Sequence, residues 1–354
     1  MVQEGVQASQ RTAGGALAIL AVGALVASLW CGEDVRAQRG RAARPDPFAS
    51  REACLESRPP RREAGVARIA TWNVRWFPDG SPDDTVHPTD VEWLACAIAA
   101  LRVDAIALQE IVLHERGRRA LAELIAALDR RTGGRWEHRD DGCPPESQHL
   151  VVLVDRARAR IDRVEIISAL HPHGDACAHR LRPGLAVSLT FDGGLDLTML
   201  TLHLDSGTTA RDHGNRRASM AALPRAIAPS LAADGDLVLL GDLNSMGCRG
   251  CAPPTDVAAE NAALEAELAA AGMVRVAPTQ PCSEYAGSQP SGLDHVAITR
   301  TTTELAEGAR AEVSGACASL RCGRLPRGPD PASLTRLSDH CPIVLELADA
   351  DRDP

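Results

Sequence analysis

Short apolar runs that each stop at one or two polar residues recur along the chain, and they constrain its fold more than any other feature. Strand-like runs lie at 67–74, 103–109, 149–154, 184–191, 195–204, 236–241, 295–299 and 342–347. Amphipathic helical patterns separate some of them, at 91–101, 121–128, 214–232 and 257–271. The runs 184–191 and 195–204 are joined by Asp192-Gly193-Gly194, which predicts a hairpin and therefore mixed sheets. We predict one α/β domain with sheets inside and helices outside.

The N-terminal 37 residues have the pattern of an export signal. Arg11 precedes an apolar segment from Ala13 to Trp30, and Val35-Arg36-Ala37 offers small residues for cleavage. Its length is near the minimum for a membrane span, so an uncleaved N-terminal anchor is the alternative. Residues 38–66 are rich in Arg and Pro and are predicted to be a linker, and the catalytic domain is expected at 67–350.

Cysteine usage favours export to an extracytoplasmic compartment, periplasmic or secreted. The chain has eleven Cys, and loss of Cys31 with the signal would leave an even number. Candidate disulfides are Cys143 with Cys177 and Cys317 with Cys322, and the CRGC motif at 248–251 favours a loop staple over catalysis. Cys96 and Cys341 lie in apolar patterns and are candidates for buried free thiols.

The formal charge is −9, and every one of the 38 basic residues is an Arg. The negative charge lies in the body of the chain, residues 67–354, and an acidic body is poorly suited to non-specific binding of a polyanion, because that binding needs clustered positive charge. This leaves open a nuclease that reaches its substrate through metal ions.

Chemically active side chains follow the ends of the predicted strands. They are Asn73, Arg75, Gln109, Glu110, His203, Asp242, Asn244, Asp294, Asp339 and His340. Strand ends on one side of a sheet are where α/β folds assemble sites from distant parts of the sequence. Carboxylate and amide oxygens suit Mg²⁺, while histidines can stabilise charge on phosphoryl oxygens. The set therefore suits hydrolysis of phosphoric esters.

In order along the chain, the motifs WN-R, QE, HL-SG, GDLNS, LDH and SDHCPI resemble the endonuclease/exonuclease/phosphatase superfamily. Its members include DNase I-like nucleases, abasic-site endonucleases, sphingomyelinases and inositol phosphatases. The resemblance spans residues 67 to 347. It implies a four-layer α/β sandwich, in which two mixed β-sheets pack face to face with helices on both outer faces.

The resemblance also implies roles for single residues. Glu110 would be the principal ligand of Mg²⁺, or of Mn²⁺ in its place, with Asn73 and Asp339 near the metal. Asp242 would orient or deprotonate water, and Asn244 would hold a phosphate oxygen. His203 and His340 would bind the scissile phosphate, with Asp294 orienting His340. Arg75 follows the DNase I-like form of the first motif and would contact substrate.

Three positions depart from the family pattern. Gln148 stands where DNase-like members use a carboxylate to orient the first histidine. Asp205 follows that histidine where many relatives have Lys, and the usual Arg-x-x-Gln of the next helix reads Arg216 to Ser219. These differences leave the predicted metal centre intact but bear on the substrate.

The N-terminal segment and the cysteines predict an extracytoplasmic protein, expected to be a monomer. The resemblance implies a Mg²⁺-dependent phosphodiesterase, foremost a DNase I-like nuclease with nucleic acid as substrate. The alternative within the fold is a sphingomyelin-type phosphodiesterase or an inositol-type phosphatase. A substrate panel separates these two. A non-catalytic extracellular binding module is the alternative of another class, and failure to bind Mg²⁺ or Mn²⁺ would favour it. Contact with a membrane is expected only through an uncleaved N-terminal segment.

Overall fold

The computed structural model describes residues 46–80, 87–144, 148–174, 177, 181–233 and 235–352. The predicted signal peptide or anchor, at 1–37, lies outside these residues. Within the described ranges, no helix is both long enough and apolar enough to cross a membrane.

Helices and strands alternate through most of the chain. The helices are α1 (Arg51–Glu56), α2 (Val91–Leu101), α3 (Glu115–Thr132), α4 (Ala210–Ala233), α5 (Val257–Ala270), α6 (Gly315–Ser319) and α7 (Ala332–Arg336). The strands are β1 (Val66–Phe77), β2 (Ala105–Val112), β3 (Trp136–Asp140), β4 (Gln148–Asp155), β5 (Ala159–Ile167), β6 (Gly184–Phe191), β7 (Asp196–His203), β8 (Leu237–Asp242), β9 (Met273–Arg275), β10 (Glu284–Ala286), β11 (Gln289–Ser291), β12 (Asp294–Thr299), β13 (Glu312–Val313) and β14 (Ile343–Ala348).

Two six-stranded mixed sheets form the centre of the domain. Their strand orders are β13-β14-β1-β2-β4-β3 and β5-β6-β7-β8-β12-β9, and β10 pairs with β11 in a small separate hairpin. Each large sheet has one parallel pair near its middle, β1 with β2 and β7 with β8, and the other neighbours are antiparallel. The predicted hairpin at Asp192-Gly193-Gly194 is confirmed as the connection between β6 and β7.

Three apolar clusters separate four layers, as the alternation along β4 illustrates. Leu150, Val152 and Val154 belong to the core between the sheets, whereas Val151 and Leu153 join the cluster that contains residues of α2 and α3. A third cluster packs α4 and α5 against the outer face of the second sheet. Strand side chains alternate between faces, so each sheet buries both. The predicted four-layer α/β sandwich is confirmed.

Residues 46–56 differ from the predicted linker because they pack on the domain. Helix α1 is capped by the Ser50 side chain, and a disulfide joins its Cys54 to Cys96 of α2. The indole Nε1 of Trp93 donates to the Pro47 carbonyl at 2.9 Å. A covalent bond and aromatic packing thus order a segment that has little periodicity of its own.

Five disulfides are present among the described residues: Cys54–Cys96, Cys143–Cys177, Cys248–Cys251, Cys282–Cys322 and Cys317–Cys341. The predicted Cys143–Cys177 bond and the CRGC staple are confirmed. The predicted Cys317–Cys322 bond is wrong, and so are the predicted free thiols at Cys96 and Cys341. Sequence proximity misled the pairing because tertiary packing brings more distant cysteines to Cys317 and Cys322.

Candidate active site

The parallel strand pairs of the two sheets end at one cleft, where most of the predicted residues meet. Asn73 of β1 spans both sheets: its Nδ2 atom donates to Glu110 Oε1 and to Asp242 Oδ2, each at 3.0 Å. Asp242 lies in register with His203 at the ends of β8 and β7, and with Asp294 of β12. The fold therefore gathers side chains that are far apart in the sequence.

Irregular backbone aims Glu110 into this cleft. The pairing of β1 with β2 shifts register between Asn73 and Phe77, and that of β2 with β4 shifts between Leu108 and Ile111. Glu110 itself has φ of 63°, a left-handed conformation that is costly for a residue with a Cβ atom. Bulges of this kind re-aim side chains beside active sites. The strained backbone therefore coincides with the predicted principal metal ligand.

Asp242 lies between two imidazoles. Its Oδ2 atom is 3.6 Å from Nε2 of His203 and 3.8 Å from Nε2 of His340, and its Oδ1 accepts the backbone N–H of Asn244 at 2.9 Å. Burial raises the pKa of the Asp242 carboxyl to about 7 against the lowering effect of His340. A carboxylate with a raised pKa accepts a proton more readily, which suits a base for water.

His340 is held by a buried carboxylate. Its Nδ1 atom lies 2.8 Å from Oδ2 of Asp294, and its backbone N–H donates to Ser338 Oγ at 3.0 Å. Burial acts to lower the pKa of His340, but Asp294 and Asp242 outweigh it and hold the pKa well above its usual value. The ring is thus suited to carry a positive charge toward a phosphate. Ser338, which sequence reasoning passed over, also donates to the Asn73 carbonyl at 2.6 Å.

His203 is in a different electrostatic state. Its Nε2 lies 3.7 Å from Glu110 Oε1, and its buried Nδ1 has no hydrogen-bond partner among the described residues. Burial, together with the charges of Arg182 and His340, lowers its pKa well below the usual value. A neutral His203 can donate one hydrogen bond to a phosphate oxygen without carrying charge.

Gln148 contacts the predicted metal ligand rather than His203. Its Nε2 donates to Glu110 Oε2 at 2.8 Å, and the same oxygen accepts the backbone N–H of Trp76 at 3.1 Å. Gln148 is itself bound by Arg182, which donates to its side-chain Oε1 and, at 3.1 Å, to its backbone carbonyl.

Arg182 is the main residue of this cleft that sequence reasoning missed. Its side chain is buried, and its charge acts on Glu110 and Asp242. It stands alone between residues 178–180 and β6 with no motif around it. Only the tertiary structure shows it.

Arg75 and Asp339 pair with each other at the mouth of the cleft, with Nη1 and Oδ2 2.9 Å apart. Asn244 has φ of 50° and its Nδ2 donates to the Leu204 carbonyl at 3.0 Å. Arg75 and Asn244 therefore flank the carboxylate centre. Within that centre, Glu110 and Asp242 are the two acids whose carboxylates share the Asn73 side-chain amide.

The oxygen donors at this centre fit a hard divalent cation. Glu110 Oε1 and Asp242 Oδ2 approach the same Asn73 nitrogen, and carboxylate oxygens are what Mg²⁺ and Mn²⁺ prefer. Asn73 Oδ1 accepts the Arg75 backbone N–H at 3.0 Å, so it could join such a cation only with its amide turned. Asp339, paired with Arg75, would act from the rim of the cleft.

A buried ion pair supports the loops that follow His203 and Asn244. Arg216 of α4 binds Glu260 of α5 through Nε at 2.8 Å and Nη2 at 3.1 Å. It also donates to the carbonyls of Asp205, Gly207 and Gly247 at 3.0, 2.8 and 3.0 Å. All five guanidinium N–H groups are used. Glu260, which lies on the helix predicted at 257–271, is buried.

Comparison with known proteins bears on the fold of the chain. No curated protein sequence matches the chain. Among solved structures, an endonuclease/exonuclease/phosphatase from Bacteroides vulgatus has a TM-score of 0.54 and 15% identity, covering 80% of this chain and 98% of that one. Truncated Caenorhabditis elegans TDP2 has a TM-score of 0.52 and 14% identity, covering 80% of this chain and 97% of that one. Both likenesses show a shared fold.

The match of a family model decides the assignment. The model of the Endonuclease/Exonuclease/phosphatase family matches residues 70–340, a range that runs from β1 to His340 and includes every predicted site residue. The predicted resemblance is thereby confirmed, and with it the general class of phosphoric ester hydrolase. This chain belongs to the endonuclease/exonuclease/phosphatase family.

Proposed function

We propose that this chain is a divalent-metal-dependent phosphodiesterase of the DNase I type that hydrolyses nucleic acid. The observation that carries the proposal is the position of Asp242, whose Oδ2 lies 3.6 and 3.8 Å from the Nε2 atoms of His203 and His340. A base between two imidazoles that face one carboxylate centre is what in-line attack of water on a phosphodiester needs.

Each side chain has a defined task in this proposal. Asp242 takes a proton from the attacking water, helped by a pKa raised toward neutrality. His340, kept charged by Asp294, stabilises the negative charge that grows on the phosphoryl oxygens, and His203 donates a neutral hydrogen bond to the same group. Asn244 and Arg75 hold the substrate. A divalent cation held by Glu110, with Asn73 and Asp339 assisting, would act as a Lewis acid on a phosphoryl oxygen.

The disulfides also support a location. Five are present in the described part of the chain, and disulfides persist in oxidising compartments. We therefore propose that the enzyme works in the periplasm or outside the cell, as a monomer.

A substrate panel tests the proposal. Purified protein is assayed with Mg²⁺, with Mn²⁺ and with EDTA on DNA, RNA, bis-(p-nitrophenyl) phosphate, sphingomyelin and inositol phosphates. We expect metal-dependent hydrolysis of nucleic acid and its loss in His340→Ala, with Arg163→Ala on the exposed strand β5 as the matched control. Turnover that persists in EDTA or in His340→Ala contradicts the mechanism, whereas turnover of sphingomyelin or inositol phosphates alone contradicts only the substrate class.

A further inference from the structure

Two cysteines of the loop that follows Asn244 and one histidine of α4 form a group of three potential ligands for a soft metal ion. Cys248 and Cys251 form a disulfide with a sequence separation of 3, and Sγ of Cys251 lies 3.8 Å from Nδ1 of His213 on α4. The ligand atoms of these three residues lie within 4.8 Å of one another. The proposed phosphodiester centre does not use them.

The backbone around the disulfide is held by bonds that do not involve sulfur. Cys248 and Thr255 exchange backbone hydrogen bonds of 2.7 and 2.9 Å, and the N–H of Gly250 donates to the Thr208 carbonyl at 3.0 Å. Arg216 holds the carbonyl of Gly247 at 3.0 Å. Cleaving the S–S bond would therefore leave both cysteines beside His213.

Of the five disulfides among the described residues, this one restrains the unfolded chain least, so its reduction is expected to lower stability least. It closes a far shorter loop than the other four, whose sequence separations run from 24 to 42, and loop closure contributes less stability in a shorter loop. Cys251 is half-buried, so a small thiol can reach its sulfur, whereas Cys248 is fully buried.

We propose that the dithiol form of this loop is a binding site for a thiophilic divalent cation of the Zn²⁺ class. Two molecules of a small thiol reduce the disulfide to two cysteine thiols and leave as their own disulfide. The cation then displaces one proton from each thiol and binds both Sγ atoms together with Nδ1 of neutral His213, and water completes the four ligands. Oε1 of Glu260 lies 3.9 Å from His213 Nε2, where a carboxylate can orient a metal-bound imidazole.

The proposed site can bind a metal ion in only one of the two redox states of the protein. In the disulfide form both sulfurs are bonded to each other and cannot bind a metal as thiolates. In the dithiol form, soft sulfur and nitrogen ligands select Zn²⁺ or Co²⁺ over the Mg²⁺ that suits the oxygen-rich centre.

Cobalt titration of the full protein tests the proposal without an activity assay. The protein is reduced under anaerobic conditions with a phosphine, which is then removed, and Co²⁺ is added. We expect one equivalent to bind with a thiolate-to-cobalt charge-transfer band, which Zn²⁺ then abolishes by competition. The band should be absent in the untreated disulfide form and in Cys248→Ser/Cys251→Ser. His213→Ala should weaken binding by about tenfold or more and alter the visible d–d bands.

The variant Cys143→Ser/Cys177→Ser is the matched control, because its disulfide also has one half-buried cysteine, and it should keep the band. The proposal is wrong if the band survives in Cys248→Ser/Cys251→Ser, if His213→Ala leaves affinity and spectrum unchanged, or if no band appears. It is also wrong if Cys248 and Cys251 resist reduction while the protein stays folded. His213→Ala keeps all ten cysteines of the domain, so it decides the question even where the double variant fails to fold. None of these outcomes depends on phosphodiesterase activity.

Discussion

Nδ1 of His340 lies 2.8 Å from Oδ2 of Asp294, and this buried pair joins the first residue of β12 to the segment that leads into β14. The two residues are 46 positions apart in the chain. Because a carboxylate fixes the ring orientation and supports its charge, the pair decides how His340 can act on a phosphate.

Asp294→Asn is expected to lower kcat/KM by about 10²-fold or more, since an amide cannot support an imidazolium. Asp294 raises the pKa of His340, so its loss lowers that pKa and moves the alkaline decline of activity to lower pH. Measurement of kcat/KM against pH checks both effects, with Asp162→Asn on exposed strand β5 as control. An unchanged alkaline limb would rule out a charged His340.

Arg182→Leu is expected to raise the pKa of His203, because burial and then the Arg182 charge are what lower it. Arg182→Lys keeps the charge and should leave that pKa close to the native value, although it cannot reproduce both donors to Gln148. Titration of the His203 ring by NMR in the metal-free protein distinguishes the two variants. Equal titration in both would show that the charge of Arg182 does not determine the state of His203.

Arg216→Lys is expected to destabilise the protein by about 2 kcal/mol or more, because the three donors of an ammonium cannot replace the five guanidinium donors that hold Glu260 and the carbonyls of two loops. Amide exchange should accelerate at 205–209 and 247–250. The neighbouring Arg217 is partly exposed and pairs with Glu267 at 3.0 Å, so Arg217→Lys should change stability by only about 0.5 kcal/mol. Denaturant unfolding of the two variants compares them, and equal losses would contradict a supporting role for Arg216.

Gly241→Ala is expected to destabilise the protein by about 2 kcal/mol or more. Gly241 has φ of 144°, and a Cβ atom there would lie 2.0 Å from the Leu202 carbonyl oxygen of the paired strand. Gly214 lies inside α4 with open space around it, so Gly214→Ala should instead stabilise by about 0.5–1 kcal/mol. Thermal unfolding of the two variants measures the predicted loss of stability at position 241 and the predicted gain at position 214. Tolerance of alanine at 241 would show that β7 and β8 can separate.

Stability is expected to fall in acid through His295. Burial, followed by the charge of Arg275, lowers its pKa from the ordinary 6.5 to about 4, and the ring bonds Ser245 Oγ at 2.8 Å. Between these values the unfolded chain binds the extra proton, so the contribution is complete above pH 6.5 and is lost as pH falls toward 4. The loss amounts to about 3 kcal/mol. The free energy of unfolding, measured across this pH range, should depend less on pH in His295→Gln than in the native protein. The control variant His138→Gln, on the edge strand β3, should keep the native pH dependence.

Much of the fold follows from local pattern. Eight predicted strands correspond to β1, β2, β4, β6, β7, β8, β12 and β14, because buried strands carry continuous apolar runs. The remaining strands escaped the pattern: β3, β5, β9, β10, β11 and β13. Strand β5 is a sheet edge with exposed charges such as Arg160 and Arg163, and only its pairing with β6 makes it a strand.

The sequence alone determined the strands and helices that carry apolar periodicity and the order of the motifs at strand ends, because both are local properties of the chain. The resemblance carried by those motifs implied the family and its four layers. Tertiary structure alone decided the burial of Arg182 and Glu260, the pairing of Gln148 with Glu110, and the disulfide partners of Cys282 and Cys341. Those contacts join residues from separate elements. Their energies come from burial and from the distance between charges, and neither exists until the sheets have packed.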